Sequence, residues 1–352
     1  MARPPAAPWH LLRRAPASRA GRKWTSSTRS LHHDGASAST SASSSPATIT
    51  HIHLTSSKGF PSYAAASALQ TTLRDALLNH KSSSSSSSSS AAAAPSPTVI
   101  SFTPTPTYTL GRRQTTLDPA QRARLQQPLT ISTPSTRDGA PPPPPSSTSS
   151  TSSTTTTLYT PSVTASPRGG LTTYHGPGQL VLWPVLDLHA PHHANHTVRS
   201  YARLLEDTTR ALLASLPRPI ATTASTADPG VWIAPDDGPP RKIAALGVHL
   251  RRHVTALGVA LNIDTPVTGP EAQNPWARFV PCGLEGKAVT SVRAELGARG
   301  FDDALYMFGG DADVYRHALA GLWVQELADR LGAAGVTSRT LDADELGLER
   351  LD

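Results

Sequence analysis

The stretch "RKIAALGVHLRRHVTALGVALNI", residues 241–263, holds two apolar runs of strand length separated by an arginine pair. Runs this short, rich in Val, Ile and Leu and bounded by turn residues, read as successive strands of one sheet. Pro239 and Pro240 interrupt the chain before the first run, and "GVWIAP" (230–235) upstream of them reads as a further strand.

Helices flank this strand cluster. In "NHTVRSYARLLEDTTRALLASL" (195–216), Val198, Tyr201, Leu204, Leu205, Leu212, Leu213 and Leu216 form one stripe after Asn195 as N-cap. A last helix is expected from about Asp313 to Leu331, with Leu319, Leu322, Trp323 and Leu327 inward and Gly332 as its stop. Toward the N-terminus, residues 47–57 read as a strand and 62–80 as a helix with Ala65, Leu69, Leu73, Ala76 and Leu77 on one side. "TVISFTP" (98–104) and "LYTPSVTASP" (158–167) add two more strands. Alternating strands and helices of this kind predict an α/β or α+β domain.

Two low-complexity inserts, at about 81–97 and 133–157, consist of serine, threonine, alanine and proline. Such tracts bury too little apolar surface to offset chain entropy, and long loops between elements cost little stability. They are therefore expected as decorations on a single domain spanning 47–345, after a leader at 1–46.

The formal charge of +7 and pI near 9.8 raise the question of a nucleic-acid partner. Residues 1–33 contain six arginines, Lys23 and no acid; the rest of the chain carries 25 basic and 25 acidic residues. The basicity thus belongs to the leader, which has the composition of a mitochondrial transit peptide. A body without surplus charge predicts no nucleic-acid partner. One cysteine excludes an internal disulfide framework and points to a thiol-reducing compartment. No run approaches the roughly 18 to 20 apolar residues of a spanning helix, so no membrane span is expected.

Three segments could carry chemistry. In "PRGGLTTYHGPGQLVLWPVLDL" (167–188), Gly169, Gly170, Gly176 and Gly178 suit either a tight hairpin or a loop whose amides line a ligand pocket. Arg168 and His175 bracket this loop. It matches neither a phosphate loop nor a dinucleotide-binding fingerprint, so no nucleotide cofactor and no metal is expected. Lys242, one of five lysines, opens an apolar strand. It is either a solvated strand-start residue or a partly desolvated amine able to stabilise a neighbouring thiolate. Cys282, between Pro281 and Gly283, is either a small buried side chain or a nucleophile presented at an element end.

Taken in order, "RGGLTTYHGPGQLVLWPVLDL", "RKIAALGVHLRRHVTALGVALNI" and "FVPCGLEGKAVTSV" (279–292) resemble the three signature segments of lipoyl(octanoyl) transferases. "TPTYTLGRRQ" (105–114) and "VRSYARLLEDTTRALL" (198–213) resemble two further segments of that family. The resemblance implies a single domain similar to the catalytic domain of biotin and lipoate protein ligases, with a mixed sheet and packed helices. It implies transfer of octanoyl from octanoyl-acyl carrier protein to a lysine on lipoyl domains of 2-oxoacid dehydrogenase E2 subunits and glycine cleavage H protein, in the mitochondrial matrix.

Carried over, Cys282 becomes the acyl-thioester nucleophile and Lys242 the group that lowers its pKa and moves its proton. The acyl pocket falls to Arg168, Gly169, Gly170, His175, Ala245, Leu246, Gly247, Gly258, Val259 and Ala260. Burying about seven methylenes there would contribute roughly 5 kcal/mol toward octanoyl. One position departs from the family: Leu257 stands where its members usually carry histidine. On strand parity, His253 would face the same side as Leu257. Competing readings are a lipoate ligase or lipoyl amidotransferase of the same fold, a Cys-His thioesterase using His175 or His249, and a degenerate relative that only binds lipoyl domains.

Overall fold

The computed structural model describes residues 46–83, 93–134, 154–223, 228–234, 238–280 and 287–347. The leader, most of each low-complexity insert and Cys282 lie outside the described residues.

In chain order, β1 (Thr48–Thr55), α1 (Tyr63–Ser83), β2 (Thr98–Phe102) and β3 (Thr107–Leu110) lead into α2 (Pro119–Leu125). β4 (Leu129–Pro134), β5 (Thr154–Tyr159), β6 (Ser162–Ala165), β7 (Thr173–His175) and β8 (Gln179–Val185) follow, then α3 (Val198–Ser215). β9 (Val231–Ile233), β10 (Arg241–Arg251), β11 (Val254–Asn262), β12 (Ala288–Val289), α4 (Val292–Tyr306), α5 (Ala312–Leu331) and β13 (Gly335–Asp342) complete the chain.

The main sheet runs β12-β10-β11-β8-β2-β1-β13, with β9 also paired to β10. It is mixed: β1 is parallel to β2 and β13, and β10 to β12, whereas β10, β11, β8 and β2 pair antiparallel. Each face has its own core. On one, α3 and α5 bury Tyr201, Leu205, Leu212, Trp323 and Leu327 against Leu180, Leu182, Val259 and Leu261. On the other, the start of α1 places Tyr63, Ala65 and Ala66 with Phe102, Trp183 and Ala260. A small sheet, β6-β3-β7, meets this second core through His175 of β7, which stacks on Tyr63.

The mixed α/β fold agrees with the sequence reading, and the departures from it have local causes. α3 begins at Val198 because Thr197, not Asn195, caps it: Thr197 Oγ1 accepts from Ser200 N–H, and Ser200 Oγ accepts from Thr197 N–H. This reciprocal pair satisfies two first-turn amides, leaving Val198 exposed outside the buried stripe. On α1 the buried face passes through Gln70, Leu77 and Leu78, and Ala76 is exposed. "LYTPSVTASP" is two strands: β5 pairs with β4 and β6 with β3, parting at Pro161, which has no N–H for a ladder. Thr154 to Thr157, expected within the second insert, instead continue a hairpin with β4.

β1 and α5 meet through histidines. His51 and His53 both bond Ser101 Oγ, at 2.8 and 2.9 Å, and the His53 ring lies edge-on to His317 at 4.3 Å. Burial, aided by the neighbouring His317, pushes His51 down to about 4 and His53 to about 3. Both are therefore neutral in the fold at pH 7. Their folded pKa values lie below the unfolded value of 6.5, so their contribution is present above pH 6.5 and is lost as pH falls toward 4. The expected slope over that window is on the order of 1 kcal/mol per pH unit for each histidine. Urea denaturation across pH 7 to 4 should show it, and a His51→Gln, His53→Gln double variant should flatten the loss.

Candidate active site

A bulge in β10 sets the orientation of Lys242. Opposite β9, Lys242 pairs with Trp232 and Ala244 with Val231, so two steps on β10 match one on β9. Ile243 and Ala244 consequently both face the α3/α5 core, as do Val231 and Ile233. Strict alternation is broken at that point, and Lys242 and Trp232 share the opposite face. The Lys242 stem passes Gly230, where an added Cβ would lie 3.3 Å from Cε. Its Nζ donates to Pro229 O at 3.2 Å and stands 4.7 Å above the Trp232 ring, with the residue 9% exposed. Lys287, the first described residue after Cys282, lies over the same ring and forms an ion pair with Asp228.

Further along that face is a pocket. Arg168, Thr173, His175, Ala245, Leu246, Gly247, Gly258, Val259 and Ala260 line it, together with Tyr63, Trp183 and Leu257. Gly247 and Gly258 are register partners across β10 and β11. A Cβ on Gly258 would come within 2.2 Å of Leu182 O, which excludes a side chain there, and one on Gly247 would come within 3.1 Å of the Arg168 stem, which would have to give way. Lys242 does not line the pocket; it precedes Ala245 by three residues, about 10 Å along the strand.

The glycine loop is both a turn and a wall. Gly176 O accepts from Gln179 N–H in the tight connection of β7 to β8, and Gly170 O accepts from Arg113 N–H. Gly169 and Gly170 hold the loop without lining the pocket. Arg168 is anchored: Nη2 donates to Thr109 O at 2.6 Å and Nη1 to Gly169 O at 3.0 Å. Its aliphatic stem is what covers Gly247.

His175 is buried, stacked on Tyr63 at 5.4 Å, with Nδ1 3.2 Å from Gln179 Oε1. Gln179 Nε2 donates to Tyr174 O and Asn262 Oδ1, so its Oε1 is the acceptor and His175 Nδ1 carries the proton. Burial, then the Arg168 charge, push His175 down to about 3, which keeps the ring neutral. Asn262 Nδ2 passes the connection to Thr290 O at 2.9 Å, and Thr290 N–H donates to Lys242 O at 2.9 Å. Thr290 Oγ1 bonds Glu295, which also holds Arg241 through two hydrogen bonds. The glycine loop, the β10/β11 pair and the strand after Cys282 are thus joined by one run of buried hydrogen bonds.

One expectation needs revision. His253 does not share a face with Leu257, because Arg252 and His253 form the left-handed turn between β10 and β11, with φ of 50° and 69°. His253 stacks on His189 at 3.7 Å and is not part of the pocket. Gln179, Asn262, Tyr63 and Trp183 were not singled out from sequence. The first two lie inside the quoted "HGPGQ" and "ALN" stretches; the aromatic pair carries no local signal, since only the tertiary fold brings α1 onto β8. Among the described residues, no group of three or more His, Cys, Asp or Glu side chains is placed to hold a metal ion. No helix among them is long and apolar enough to cross a membrane.

Residues 161–304 match the family model of the Lipoyl protein ligase A/B catalytic domain. A Schizosaccharomyces pombe protein named as a probable octanoyltransferase is 30% identical over 246 residues, covering 70% of this chain and 87% of that one. The mitochondrial octanoyl-acyl-carrier-protein:protein N-octanoyltransferase of Xenopus tropicalis is 42% identical over 130 residues, 37% of this chain and 47% of its own. Against that relative and several bacterial octanoyltransferases, the chain spans about half their length. Among solved structures, a bi-partite lipoate protein ligase from Thermoplasma acidophilum is 11% identical, with 87% of this chain and 91% of that one covered and a TM-score of 0.44. The chain belongs to the octanoyltransferase family within the lipoyl protein ligase A/B class.

The hydrogen-bond run makes a test of its own. Gln179→Ala leaves His175 and Asn262 with unmet polar atoms in the interior, so it should cost about 1–3 kcal/mol in urea denaturation. In a double-mutant cycle with Asn262→Ala, the two changes should be non-additive by about 0.5 kcal/mol or more.

Proposed function

We propose that this protein transfers octanoyl from octanoyl-acyl carrier protein to the acceptor lysine of lipoyl domains, in E2 subunits and H protein, inside the mitochondrial matrix. The carriers of this reading are the family membership and the bulge that turns Lys242 onto the same sheet face as an apolar pocket. The name of the Xenopus relative, which includes both the donor and the organelle, supports the substrate and the compartment.

In the proposed reaction Cys282 is the nucleophile. Its thiol proton passes to Lys242 Nζ, and the thiolate adds to the donor thioester carbonyl. The tetrahedral adduct collapses by breaking the bond to the pantetheine sulfur, which takes the proton from Lys242. An octanoyl-Cys282 thioester remains. The acceptor amine then attacks that carbonyl, gives its surplus proton to Lys242, and forms the amide as the Cys282 thiolate departs. Lys242 returns the proton to sulfur. Exchanging one thioester for another carries little bond-energy penalty, and the sequence splits a difficult aminolysis into two easier steps.

Arg168, His175, Ala245, Leu246, Gly247, Gly258, Val259 and Ala260 would receive the acyl chain, with Gly169 and Gly170 holding the loop that forms its wall. A neutral imidazole with its pKa near 3 is a poor general base, which favours Lys242 over His175 and argues against a Cys-His hydrolase that uses His175.

Incubation with octanoyl-acyl carrier protein alone should yield a protein heavier by one octanoyl group, as read by intact mass, and addition of lipoyl domain should discharge it. Cys282→Ala should form no adduct. Lys242→Met should form it more slowly by about 10²- to 10⁴-fold. Acylation of Cys282→Ala at the native rate, or rapid release of free octanoate without acceptor, contradicts the mechanism.

A further inference from the structure

We propose that Leu257 is the gauge that sets how long an acyl chain the pocket accepts, an inference that rests on the octanoyl-transfer reading above. Its side chain is on the wrong face for its place in the strand. Along β11, Val259 and Leu261 belong to the α3/α5 core, and Ala256 and Ala260 to the core under α1. Alternation would put Leu257 with Val259. Instead Leu257 packs in the second core and lines the pocket.

The backbone shows how. Leu257 has φ of 63°, a left-handed conformation that residues with a Cβ seldom adopt inside a strand. The following residue, Gly258, lies so close to Leu182 O that no Cβ fits there. Holding β11 that tightly on β8 while reversing Leu257 gives the pocket a bulky apolar side chain at a position where the regular strand would offer none. Non-glycine residues held in this region cluster at ligand clamps and functional sites.

Position supplies the role. Leu257 pairs with Val248, three residues beyond Ala245 at the Lys242 end of the pocket, or about 10 Å along the strand, which is about the extended length of an octanoyl chain. The amine and the leucine therefore mark opposite ends of the face that carries the pocket. Leu257 is only 6% exposed, shares a core with Tyr63 and Trp183, and walls the pocket at its end remote from Lys242, the place the last methylenes of an octanoyl chain entering from the Lys242 side would reach.

The test compares octanoyl-, dodecanoyl- and hexanoyl-acyl carrier protein as donors for the full-length protein, by kcat/KM. Leu257→Ala should raise the dodecanoyl-to-octanoyl ratio about tenfold or more. Leu257→Phe should shift preference toward hexanoyl, and Leu257→Met should keep the native order. A purely structural role would lower all three donors alike; unchanged ratios in both Leu257→Ala and Leu257→Phe overturn the proposal. Binding of octanoic and dodecanoic acids, followed by tryptophan fluorescence, reads the pocket without turnover. A shifted acid-binding ratio in a protein that transfers no octanoyl would sink the transfer reading and keep the gauge. Normal octanoyl transfer with an unshifted ratio would sink the gauge alone.

Discussion

The buried run from His175 through Gln179 and Asn262 to Thr290, ending on the Lys242 carbonyl, is what makes one site out of three distant segments. Its two central links, Gln179 and Asn262, are side-chain amides whose alternatives are few. Once Gln179 has given its N–H groups to Tyr174 and Asn262, the orientation of His175 is determined; once Asn262 has accepted from Gln179, it can only donate toward Thr290. Breaking any link would leave a polar atom without water or partner, and that cost holds the glycine loop, β11 and β12 in mutual register.

On this frame, two irregularities in otherwise regular strands do the specialised work. The bulge at Lys242 and Ala244 reverses the facing of a lysine, and the left-handed Leu257 reverses the facing of a leucine. Both changes bring a side chain onto the face that holds the pocket. Between them, Gly247 and Gly258 leave the strand surface bare, so backbone and the Arg168 stem form the wall. A uniform sheet with the same residues would have put the amine and the apolar stop elsewhere.

This division explains what could be read from the chain in advance. The strand pair at 241–263, helices α1, α3 and α5 and the order of the motifs follow from periodicity and punctuation, which are local properties. The pocket positions came from the resemblance and not from periodicity; the fold brings Arg168, His175, Ala245, Gly247 and Gly258 round one cavity. What escaped depends on contacts far apart in sequence. Tyr63 reaches the pocket only because α1 packs over β8, and His253 left the expected face because two residues of left-handed turn break the parity count. The short helix α2 and strands β7 and β12 carry too few residues to show a period, and β13 is a mostly exposed strand without apolar alternation. Lys242 itself could not be oriented from sequence, since a bulge has no periodic signature.

If Lys242 serves Cys282, the two must be electrostatically coupled, and the single cysteine of the chain makes that coupling readable without ambiguity. The rate of alkylation by iodoacetamide against pH should report a thiol pKa well below the ~8.5 of free cysteine, and Lys242→Met should move it up by about a unit or more. A native thiol that titrates like free cysteine, with the same profile after Lys242→Met, would contradict the pairing.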